Sequence, residues 1–343
     1  MNTKINLLGL DLTELQSVVD LFGEPGYRAQ QIFQWLYAKQ ARSFDQMTNL
    51  SKKLRQRLVE KAQIQTLKLI TSQSSRKDQS IKFLFGLHDG LEIESVLMFE
   101  NHRATLCLST QVGCAIDCQF CATGSMGLKR HLTAGEIVDQ LICAQQLTGK
   151  TVNNIVCMGM GEPFHNYDHL LKACALMSDE RGLNLSNKHM VISTSGLVPK
   201  IKQFADEGHK YRLAISLNAT TDKVRSRLMP LNKKWPIQDL LSAAIYYTKK
   251  AKQQVTIEYV LMEGINDREQ DAARLKKLVT GLDCKINLIP YNATEGDYRR
   301  PSQQRILRFY ENLHSLRVPV TVRWSKGDDI AAACGQLAVK SQN

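Results

Sequence analysis

The chain has 343 residues, of which 43% are hydrophobic and 23% are charged. This length and composition suit a large buried core, and no apolar run approaches the roughly 18 residues of a membrane span, so we expect a soluble, cytoplasmic protein without a membrane anchor. The 45 Lys and Arg residues exceed the 33 Asp and Glu residues and give a net charge of +12, which favours a polyanionic partner without proving one.

The first predicted unit, residues 1–66, is helical. Asp11 and Glu14 have the spacing of a helix-capping box, and an apolar stripe follows them. Two further helices are predicted around Trp35 and after Ser51. The basic side chains of this unit are Arg28, Lys39, Arg42, Lys52, Lys53, Arg55, Arg57 and Lys61. The pattern is as consistent with a nucleic-acid-binding appendage as with a small helical cap whose charges are solvated.

The second predicted unit, residues 67–100, changes to a period of two residues, which is typical of strands. The strand runs are 67–71, 81–85 and 91–99. Asp89-Gly90 between the last two runs is a hairpin signal, so we predict a small antiparallel linker sheet. Glu94 lies in the third run, where a carboxylate usually faces solvent. A functional role for Glu94 therefore needs other support.

From residue 101 onward, strand and helix patterns alternate. Strands are predicted at 104–109, 153–158, 188–194, 211–217, 255–262 and 284–289, and helices at 134–148, 166–180, 199–208, 236–252, 267–280 and 301–316. This alternation predicts an α/β fold in which right-handed βαβ units form a parallel sheet that curls towards a barrel. Six units are fewer than the eight of a closed TIM barrel. The closing segment, 318–343, contains one more predicted strand and then Cys334.

Three cysteines follow the first strand of this repeat, in the pattern Cys114-x-x-x-Cys118-x-x-Cys121. Thiols at this spacing can turn towards one soft metal centre, and a 4Fe–4S cluster held by only three of them keeps one iron open for another ligand. Zinc is a second interpretation, because Cys107 or His131 could complete a tetrahedral site. A disulfide framework is less consistent with an odd total of 9 cysteines and with the absence of a signal-peptide pattern.

Polar and Gly-rich groups follow four of the predicted strands. They include Gly161-Glu162, Ser193, Ser216-Leu217-Asn218 and Asn292. Because the carboxyl ends of parallel strands meet at one edge, we expect these groups to line one site, with Glu162 available to an ammonium group. Each group alone would be an ordinary strand-to-helix turn. Cys334, set between small residues after a polar loop, is either a buried structural thiol or a reactive one.

The cysteine spacing, with Phe120 before the last thiol, resembles the motif of the radical S-adenosylmethionine (SAM) superfamily. The whole chain resembles the RlmN/Cfr family of radical SAM RNA methyltransferases and is most similar to its RlmN branch. Besides the cysteine loop, the motifs that carry this resemblance are Arg103-Ala-Thr-Leu-Cys107, Gly159-Met-Gly-Glu-Pro163, Ser193-Thr-Ser-Gly196, Lys285-Ile-Asn-Leu-Ile-Pro290 and Gly327-Asp-Asp-Ile-Ala-Ala-Ala-Cys-Gly335.

The resemblance implies a partial (β/α)6 TIM-like barrel with accessory units. These are an RNA-binding helical domain at 1–66, a linker β-hairpin sheet at 67–100, a radical SAM core at 101–317 and an extension at 318–343 that carries the methyl-carrier cysteine. The implied activity is methylation of carbon 2 of adenosine in 23S rRNA and tRNA by a monomer. The implied cofactors are one 4Fe–4S cluster and two SAM molecules per turnover, with a low-potential electron donor such as flavodoxin.

The same resemblance implies residue roles. Cys334 would form an S-methylcysteine and then a transient cross-link to RNA, and Cys107 would resolve that cross-link through a transient disulfide with Cys334. Glu94 would accept the ring proton, a role that Cys107 could also fill. The cluster ligands would be Cys114, Cys118 and Cys121. The SAM-binding residues would be Gly161, Glu162, Ser193, Ser216, Leu217, Asn218 and Asn292.

Two alternative functions remain. Within the family, the alternative is an adenosine C8 methyltransferase; Pro163 favours the C2 branch, because Ala is typical at this position in the C8 branch. Asn218 departs from the family pattern, since many relatives have His there. The alternative of another class is a zinc-stapled, non-catalytic RNA-binding protein, which would contain zinc but neither iron nor sulfide.

Overall fold

The computed structural model describes residues 4–339, so the outer ends of the predicted units 1–66 and 318–343 lie outside the described residues. The helices are α1 (Leu12–Leu21), α2 (Tyr27–Phe33), α3 (Lys52–Lys61), α4 (Ala122–Ser125), α5 (Ala134–Thr148), α6 (Tyr167–Ser178), α7 (Val198–Asp206), α8 (Asp222–Leu228), α9 (Ile237–Ala251), α10 (Glu269–Leu278) and α11 (Gln303–Asn312). A π-helical turn, Gln34–Ala38, extends α2. None of these helices is long and apolar enough to cross a bilayer.

Most strands belong to one sheet. The strands are β1 (Ile5–Asn6), β2 (Ala62–Gln63), β3 (Lys68–Ser74), β4 (Ile81–Gly86), β5 (Glu92–Glu100), β6 (Arg103–Cys107), β7 (Gln111–Val112), β8 (Arg130–His131), β9 (Asn154–Cys157), β10 (Met190–Thr194), β11 (Arg212–Ser216), β12 (Val255–Leu261), β13 (Cys284–Pro290) and β14 (Val320–Val322). The 10-stranded sheet has the order β14-β13-β12-β11-β10-β9-β6-β5-β4-β3, and β1-β2 and β7-β8 are separate pairs.

The part of the large sheet from β6 to β14 is parallel, as the alternation of strands and helices predicts. Thr105 is paired with Asn154 at one end of this part, and Ile286 with Val320 at the other. Pairing of β14 with β13 adds one parallel strand to the six predicted units. The α/β fold with an open, partial (β/α)6 barrel is therefore confirmed, with an extra edge strand from the closing segment.

The predicted antiparallel linker sheet, β3 to β5, is continuous with the barrel. β5 pairs with β6, and Val96 lies opposite Cys107. Both faces of β5 are covered, because five consecutive residues from Ile93 to Leu97 are buried. Glu94 is consequently only 5% exposed, whereas a carboxylate in such a strand usually faces solvent.

Alternation along β12 separates the outside of the barrel from its interior. Tyr259 stacks on Phe309 of α11 with ring centroids 5.7 Å apart, so its face of the strand is covered by the helical layer. Glu258, the preceding residue, has the opposite orientation and lines a cavity inside the barrel. The interior at this level is therefore polar and able to bind a ligand.

The N-terminal unit contacts α5 directly. The Tyr37 hydroxyl accepts from the Gly9 N–H at 2.9 Å and donates to the Leu10 carbonyl at 2.8 Å, which fixes the chain where it approaches α5. A Cβ on Gly135 of α5 would lie 2.3 Å from the Leu8 carbonyl oxygen. Glycine at position 135 thus permits the close contact between the two units.

Candidate functional site

The backbone shapes the cysteine loop between β7 and α4. Gly113 has a φ of +73°, and a Cβ there would lie 1.8 Å from the Gly127 carbonyl oxygen, so the position requires glycine. The Cys121 N–H donates to the Cys118 carbonyl oxygen at 3.1 Å and closes the turn. These constraints bring Cys118, Cys121 and Cys114 to the wall of one cavity.

This cavity, here called the cluster cavity, has a volume of about 150 Å³ and lies at the carboxyl ends of the parallel strands. The predicted site residues on its wall are Cys114, Cys118, Cys121, Gly161, Glu162, Ser193, Ser216, Asn218, Asn292 and Cys334. Three predicted residues lie elsewhere. Leu217 is buried behind the wall, where its N–H donates to the Glu258 carbonyl at 2.9 Å. Cys107 and Glu94 line two neighbouring cavities.

The three cysteines fit an iron–sulfur cluster better than zinc. Burial raises the pKa of Cys114 to about 12 and that of Cys118 well above its usual range, so a bound metal is needed to hold them as thiolates. Zinc requires ligands that converge on one ion. Among residues 4–339, no group of three or more Cys, His, Asp or Glu side chains is arranged to hold one. In a 4Fe–4S cluster the thiolates bind different irons and stand further apart.

Glu162 holds the turn that follows β10. Its carboxylate accepts from the Thr194 hydroxyl at 2.7 Å, from the Ser195 N–H at 2.7 Å and hydroxyl at 2.5 Å, and from the Phe164 N–H at 3.0 Å. Four donors fill the usual capacity of a carboxylate. An ammonium group at this wall would therefore have to share one of these lone pairs with a protein donor.

Glu258 is a candidate ligand-binding residue that the sequence did not single out. The Ser193 hydroxyl donates to its Oε2 at 2.9 Å, but its Oε1 is buried without a hydrogen-bond partner. Burial raises the pKa of Glu258, and Arg323 and Lys285 act against this rise. Because Glu258 lines the cluster cavity, the free oxygen is available to a hydroxyl or amine of a bound ligand. Its position as the one charged residue of the mostly apolar strand β12 was the only sequence signal.

Asn218 has the left-handed φ of +56°, which Asn tolerates better than most residues. Its Oδ1 accepts from the Val260 N–H at 2.9 Å, and its Nδ2 lies 3.4 Å from the Met229 sulfur. The side chain thus joins β12 to the end of β11. The departure from His at this position coincides with a backbone conformation that favours Asn.

Arg225, on the unpredicted helix α8, organises two of the turns that line the cluster cavity. It is fully buried, and its guanidinium donates to the carbonyl oxygens of Ser195 at 2.7 Å, Ser216 at 3.1 Å and Leu217 at 3.0 Å. Burial lowers its pKa to about 10, opposed by Cys118 and Asp222. Arg225 remains charged at neutral pH and fixes the carboxyl ends of β10 and β11.

Cys334 is held at the edge of the cluster cavity by two backbone contacts. The Asn292 side-chain amide donates to the Cys334 carbonyl at 3.0 Å, and the Arg300 guanidinium donates to Asn292 Oδ1 at 2.8 Å. The Ala122 N–H donates to the Gly335 carbonyl at 2.8 Å. The contacts of Asn292 therefore anchor the Cys334 segment, and the Ala122 contact joins it to the cysteine loop.

Cys334 also lines a second, smaller cavity together with Cys107. This thiol cavity, of about 30 Å³, includes Arg323 and Met158 in its wall. Both cysteines are free thiols. Burial raises the pKa of each thiol, and the charge of Arg323 opposes both rises. Arg323 lies 3.4 Å from the Met158 sulfur through Nη1, and it provides the positive charge next to the two thiols.

Glu94 lines a third cavity, here called the outer cavity, which has a volume of about 670 Å³ and shares Cys121 with the cluster cavity. The Lys82 ammonium lies 3.1 Å from Glu94 Oε1, and the Ala338 N–H donates to Oε2 at 3.0 Å. Burial raises the pKa of Glu94, and Lys82 and the Ala338 N–H oppose the rise. The sequence did not indicate Lys82, because its strand position resembles that of any solvent-facing lysine.

The basic residues of the N-terminal unit divide into two groups. Arg42 forms an ion pair with the buried carboxylate of Asp139 on α5, so it joins the unit to the barrel. Arg55 donates to the Asp45 carbonyl oxygen at 3.0 Å. By contrast, Lys52 and Lys53 are exposed at the start of α3 and free to meet a polyanion.

Comparison with known proteins identifies the family. Residues 5–64 match the model of the ribosomal RNA large subunit methyltransferase N-terminal domain, and residues 108–275 match that of the radical SAM superfamily. A probable dual-specificity RNA methyltransferase RlmN of Geobacillus thermodenitrificans is 47% identical over 341 residues, covering 98% of this chain and 93% of the relative. A probable RlmN of Alkaliphilus oremlandii is 46% identical, with 98% of each chain covered.

A solved structure of a radical SAM methyltransferase from Sphaerobacter thermophilus matches with a TM-score of 0.93 and 45% sequence identity. The match covers 97% of this chain and 99% of that one. The similarity therefore extends through the N-terminal unit, the linker strands, the barrel and the closing segment, and it is not confined to the cysteine loop.

Proposed function

The chain belongs to the RlmN family of radical SAM methyltransferases, and from this membership we propose that it methylates carbon 2 of adenosine in 23S rRNA and tRNA. One observation carries the proposal for the mechanism: Cys334 lies on the walls of both the cluster cavity and the thiol cavity. A thiol in this position can meet a cofactor on one side and Cys107 on the other. A methyl carrier with a resolving thiol needs this arrangement.

The chemistry of the target carbon explains why such an arrangement is needed. Carbon 2 of adenine lies between two ring nitrogens and is electron-poor, so it does not displace the methyl group of SAM as an amine would. A 4Fe–4S cluster held by Cys114, Cys118 and Cys121, with SAM at its open iron, would supply a 5′-deoxyadenosyl radical. The chain's own residues then have to present a methyl group to that radical and to release the product.

Cys334 performs the first task. Its sulfur takes a methyl group from one SAM molecule by displacement and becomes S-methylcysteine. Loss of a hydrogen atom from that methyl group to the radical derived from a second SAM leaves a methylene radical on Cys334, which adds to carbon 2. Enzyme and RNA are then joined through the Cys334 sulfur.

Glu94 and Cys107 perform the second task. The Glu94 carboxylate accepts the proton from carbon 2, and the one unpaired electron left on the ring by radical addition would return to the oxidised cluster. The Cys107 sulfur then attacks the Cys334 sulfur and breaks the bond between Cys334 and the methylene carbon. That carbon takes a proton from solvent and becomes the methyl group, and the Cys107–Cys334 disulfide that remains is reopened by a reductant. The proximity of Cys107 to Cys334 supports its resolving role, and the burial of Glu94, which raises the pKa of its carboxyl, supports its role as a base.

The lining of the cluster cavity supports the predicted SAM-binding residues, with one change of role and one addition. Gly161, Glu162, Ser193, Ser216, Asn218 and Asn292 would line the SAM site, and Leu217 would act through its backbone. Glu258 joins this set because its Oε1 is unpartnered. Lys52 and Lys53 on the N-terminal unit would meet RNA phosphates. We further propose a monomer supplied by a low-potential electron donor such as flavodoxin.

Mass spectrometry of Cys334 in protein purified without oxygen tests this function, comparing the intact chain, a Cys107→Ala variant and a Cys143→Ala control. We expect an S-methyl group on Cys334 in all three and an RNA cross-link that accumulates only in Cys107→Ala. An unmodified Cys334 in every sample, despite bound iron and supplied SAM, contradicts the mechanism. RNA deuterated at carbon 2 or carbon 8 of adenine identifies the methylated carbon, since only the label at that carbon is lost.

A further inference from the structure

We propose that the β3–β4 turn, residues 75–80, positions the methyl-carrier cysteine. The turn does so through hydrogen bonds to the loop 327–334, here called the carrier loop. The proposal deepens the function above and rests on Cys334 as carrier. It assigns a role to the Gly327-Asp328-Asp329 sequence, which contacts neither the cluster cavity nor the thiol cavity. The turn and the carrier loop are about 250 positions apart in the sequence, separated by the whole barrel.

Two aspartates, one from each segment, form the hydrogen bonds between the turn and the carrier loop. Asp78 of the turn accepts from the N–H of Gly327 at 2.7 Å. Asp329 of the carrier loop accepts from the N–H of Arg76 at 3.1 Å and from the Ser75 hydroxyl at 2.7 Å. Each segment therefore provides a carboxylate that binds the backbone of the other. Hydrogen bonds from backbone N–H groups to carboxylates have defined directions and are stronger than neutral ones.

The turn is rigid before it meets the loop. The Ser75 hydroxyl accepts from the N–H groups of Lys77 at 3.1 Å and Asp78 at 3.2 Å, and the Ser80 N–H donates to Asp78 Oδ1 at 3.0 Å. The Ser75 N–H donates to the Ser80 carbonyl at 2.7 Å and closes the turn. Asp78 thus uses one carboxylate oxygen within the turn and the other on Gly327.

The carrier loop is equally constrained, so hydrogen bonds at its Gly327 end also restrict the position of Cys334. The Ala332 N–H donates to the Gly327 carbonyl at 2.8 Å. Gly327 has a φ of +66°, and a Cβ there would lie 2.8 Å from the Ala332 Cβ, so glycine permits the tight loop. The Lys82 ammonium lies 3.4 Å from the Ala331 carbonyl. Cys334 comes two residues after Ala332, and its carbonyl accepts a hydrogen bond from the Asn292 side chain.

Asp328 provides a matched control within the same motif. Its carboxylate lies 3.3 Å from the Lys77 ammonium, and these side chains are 37% and 64% exposed. Exposed pairs of this kind contribute little to stability. Asp328→Asn and Asp329→Asn make the same chemical change at adjacent positions, but only the second weakens contacts to a backbone N–H and a buried serine.

The experiment uses anaerobically purified full-length protein, as wild type and as Asp329→Asn, Asp78→Asn and Asp328→Asn variants. Before SAM is added, peptide mass spectrometry follows alkylation of the unmethylated fraction of Cys334 by iodoacetamide and the yield of Cys107–Cys334 disulfide after diamide. We expect alkylation of Cys334 to rise roughly fivefold in Asp329→Asn and in Asp78→Asn, which is the factor that one ordinary hydrogen bond supplies. The disulfide yield should fall in both, and Asp328→Asn should match wild type.

A Ser75→Ala variant removes the hydroxyl bond to Asp329 and the two bonds that the hydroxyl accepts within the turn. It should therefore raise the alkylation rate of Cys334 at least as much as Asp329→Asn if the turn positions the carrier loop as proposed. Equal iron content and melting temperature across the variants excludes general unfolding as the cause. If Asp329→Asn and Asp328→Asn alkylate at the same rate, the proposal is wrong. These thiol measurements require no RNA and therefore test the position of Cys334 separately from catalysis. Wild-type protein that fails to methylate adenosine would refute the proposed function, whereas only the thiol measurements decide this inference.

Discussion

Replacing Lys82 by Met is expected to move the pH dependence of the proton-removal step. Lys82 and Glu94 form an ion pair of 3.1 Å in which the side chains are 14% and 7% exposed. Burial raises the pKa of Glu94 and the lysine charge lowers it. Without that charge the pKa rises further. Glu94 must be ionised to accept a proton, so Lys82→Met lowers the active fraction of the base as the pH falls through its raised pKa.

The size of the effect follows from the contact that is lost. A hydrogen bond to a charged group contributes about 1.5–3 kcal/mol, and this corresponds to roughly a 10- to 150-fold smaller ionised fraction of Glu94 below its pKa. The loss is largest at low pH and disappears at high pH, where Glu94 ionises without help. Lys82→Arg keeps the charge and should restore most of the rate near neutrality.

The assay is a single turnover with RNA, in which a denaturing gel follows formation and decay of the covalent adduct at Cys334 between pH 6 and 9. Lys82→Met should still form the adduct, at a rate that also reflects its lost contact with the Ala331 carbonyl, and should resolve it slowly at low pH. Glu94→Gln should resolve it slowly at every pH, which separates loss of the base from a change in its ionisation. A pH profile for Lys82→Met that superimposes on wild type would refute the reasoning.

Three further predictions concern the loop, the SAM site and the RNA surface. Gly113→Ala should abolish cluster iron and sulfide, measured by chemical analysis, because its Cβ would overlap a carbonyl oxygen; Gly296→Ala, whose Cβ would make only ordinary contacts at 3.9 Å, should retain both. Arg225→Met should weaken SAM binding by about tenfold or more in calorimetry, because three carbonyl contacts are lost. Lys53→Glu should reduce the slope of log RNA affinity against log salt by about 0.7–0.9, whereas Lys249→Glu on α9 should leave it unchanged.

Local patterns predicted much of this molecule because they depend on neighbours in the sequence. The capping box at Asp11 is present, with the Glu14 N–H donating to Asp11 at 2.9 Å. The strand–helix alternation gave the barrel, and the cysteine spacing gave one shared cavity. These features follow from backbone periodicity and from residues that are close in sequence.

The contacts that connect distant segments could not be predicted in this way. The Ser75 and Asp329 side chains are separated by 254 positions, and neither has an unusual local pattern. Glu94 was expected to face solvent because alternation alone cannot show that both faces of β5 are covered. Arg225 was missed because α8 is short and polar in pattern, yet its guanidinium is fully buried against three carbonyl groups.

The position of Cys334 between two cavities implies an order of events. The thiol cavity of about 30 Å³ has room for about two water molecules and cannot admit a purine base, so a base approaches Cys334 from elsewhere, whereas Cys107 approaches from within it. Ionised Cys334 disfavours ionisation of Cys107, and Arg323 favours it. Once Cys334 is alkylated it can no longer carry a charge, and Arg323 then favours ionisation of Cys107 without opposition from a Cys334 thiolate. The resolving thiol therefore becomes a better nucleophile once Cys334 is alkylated, which holds from S-methylation through to the RNA adduct.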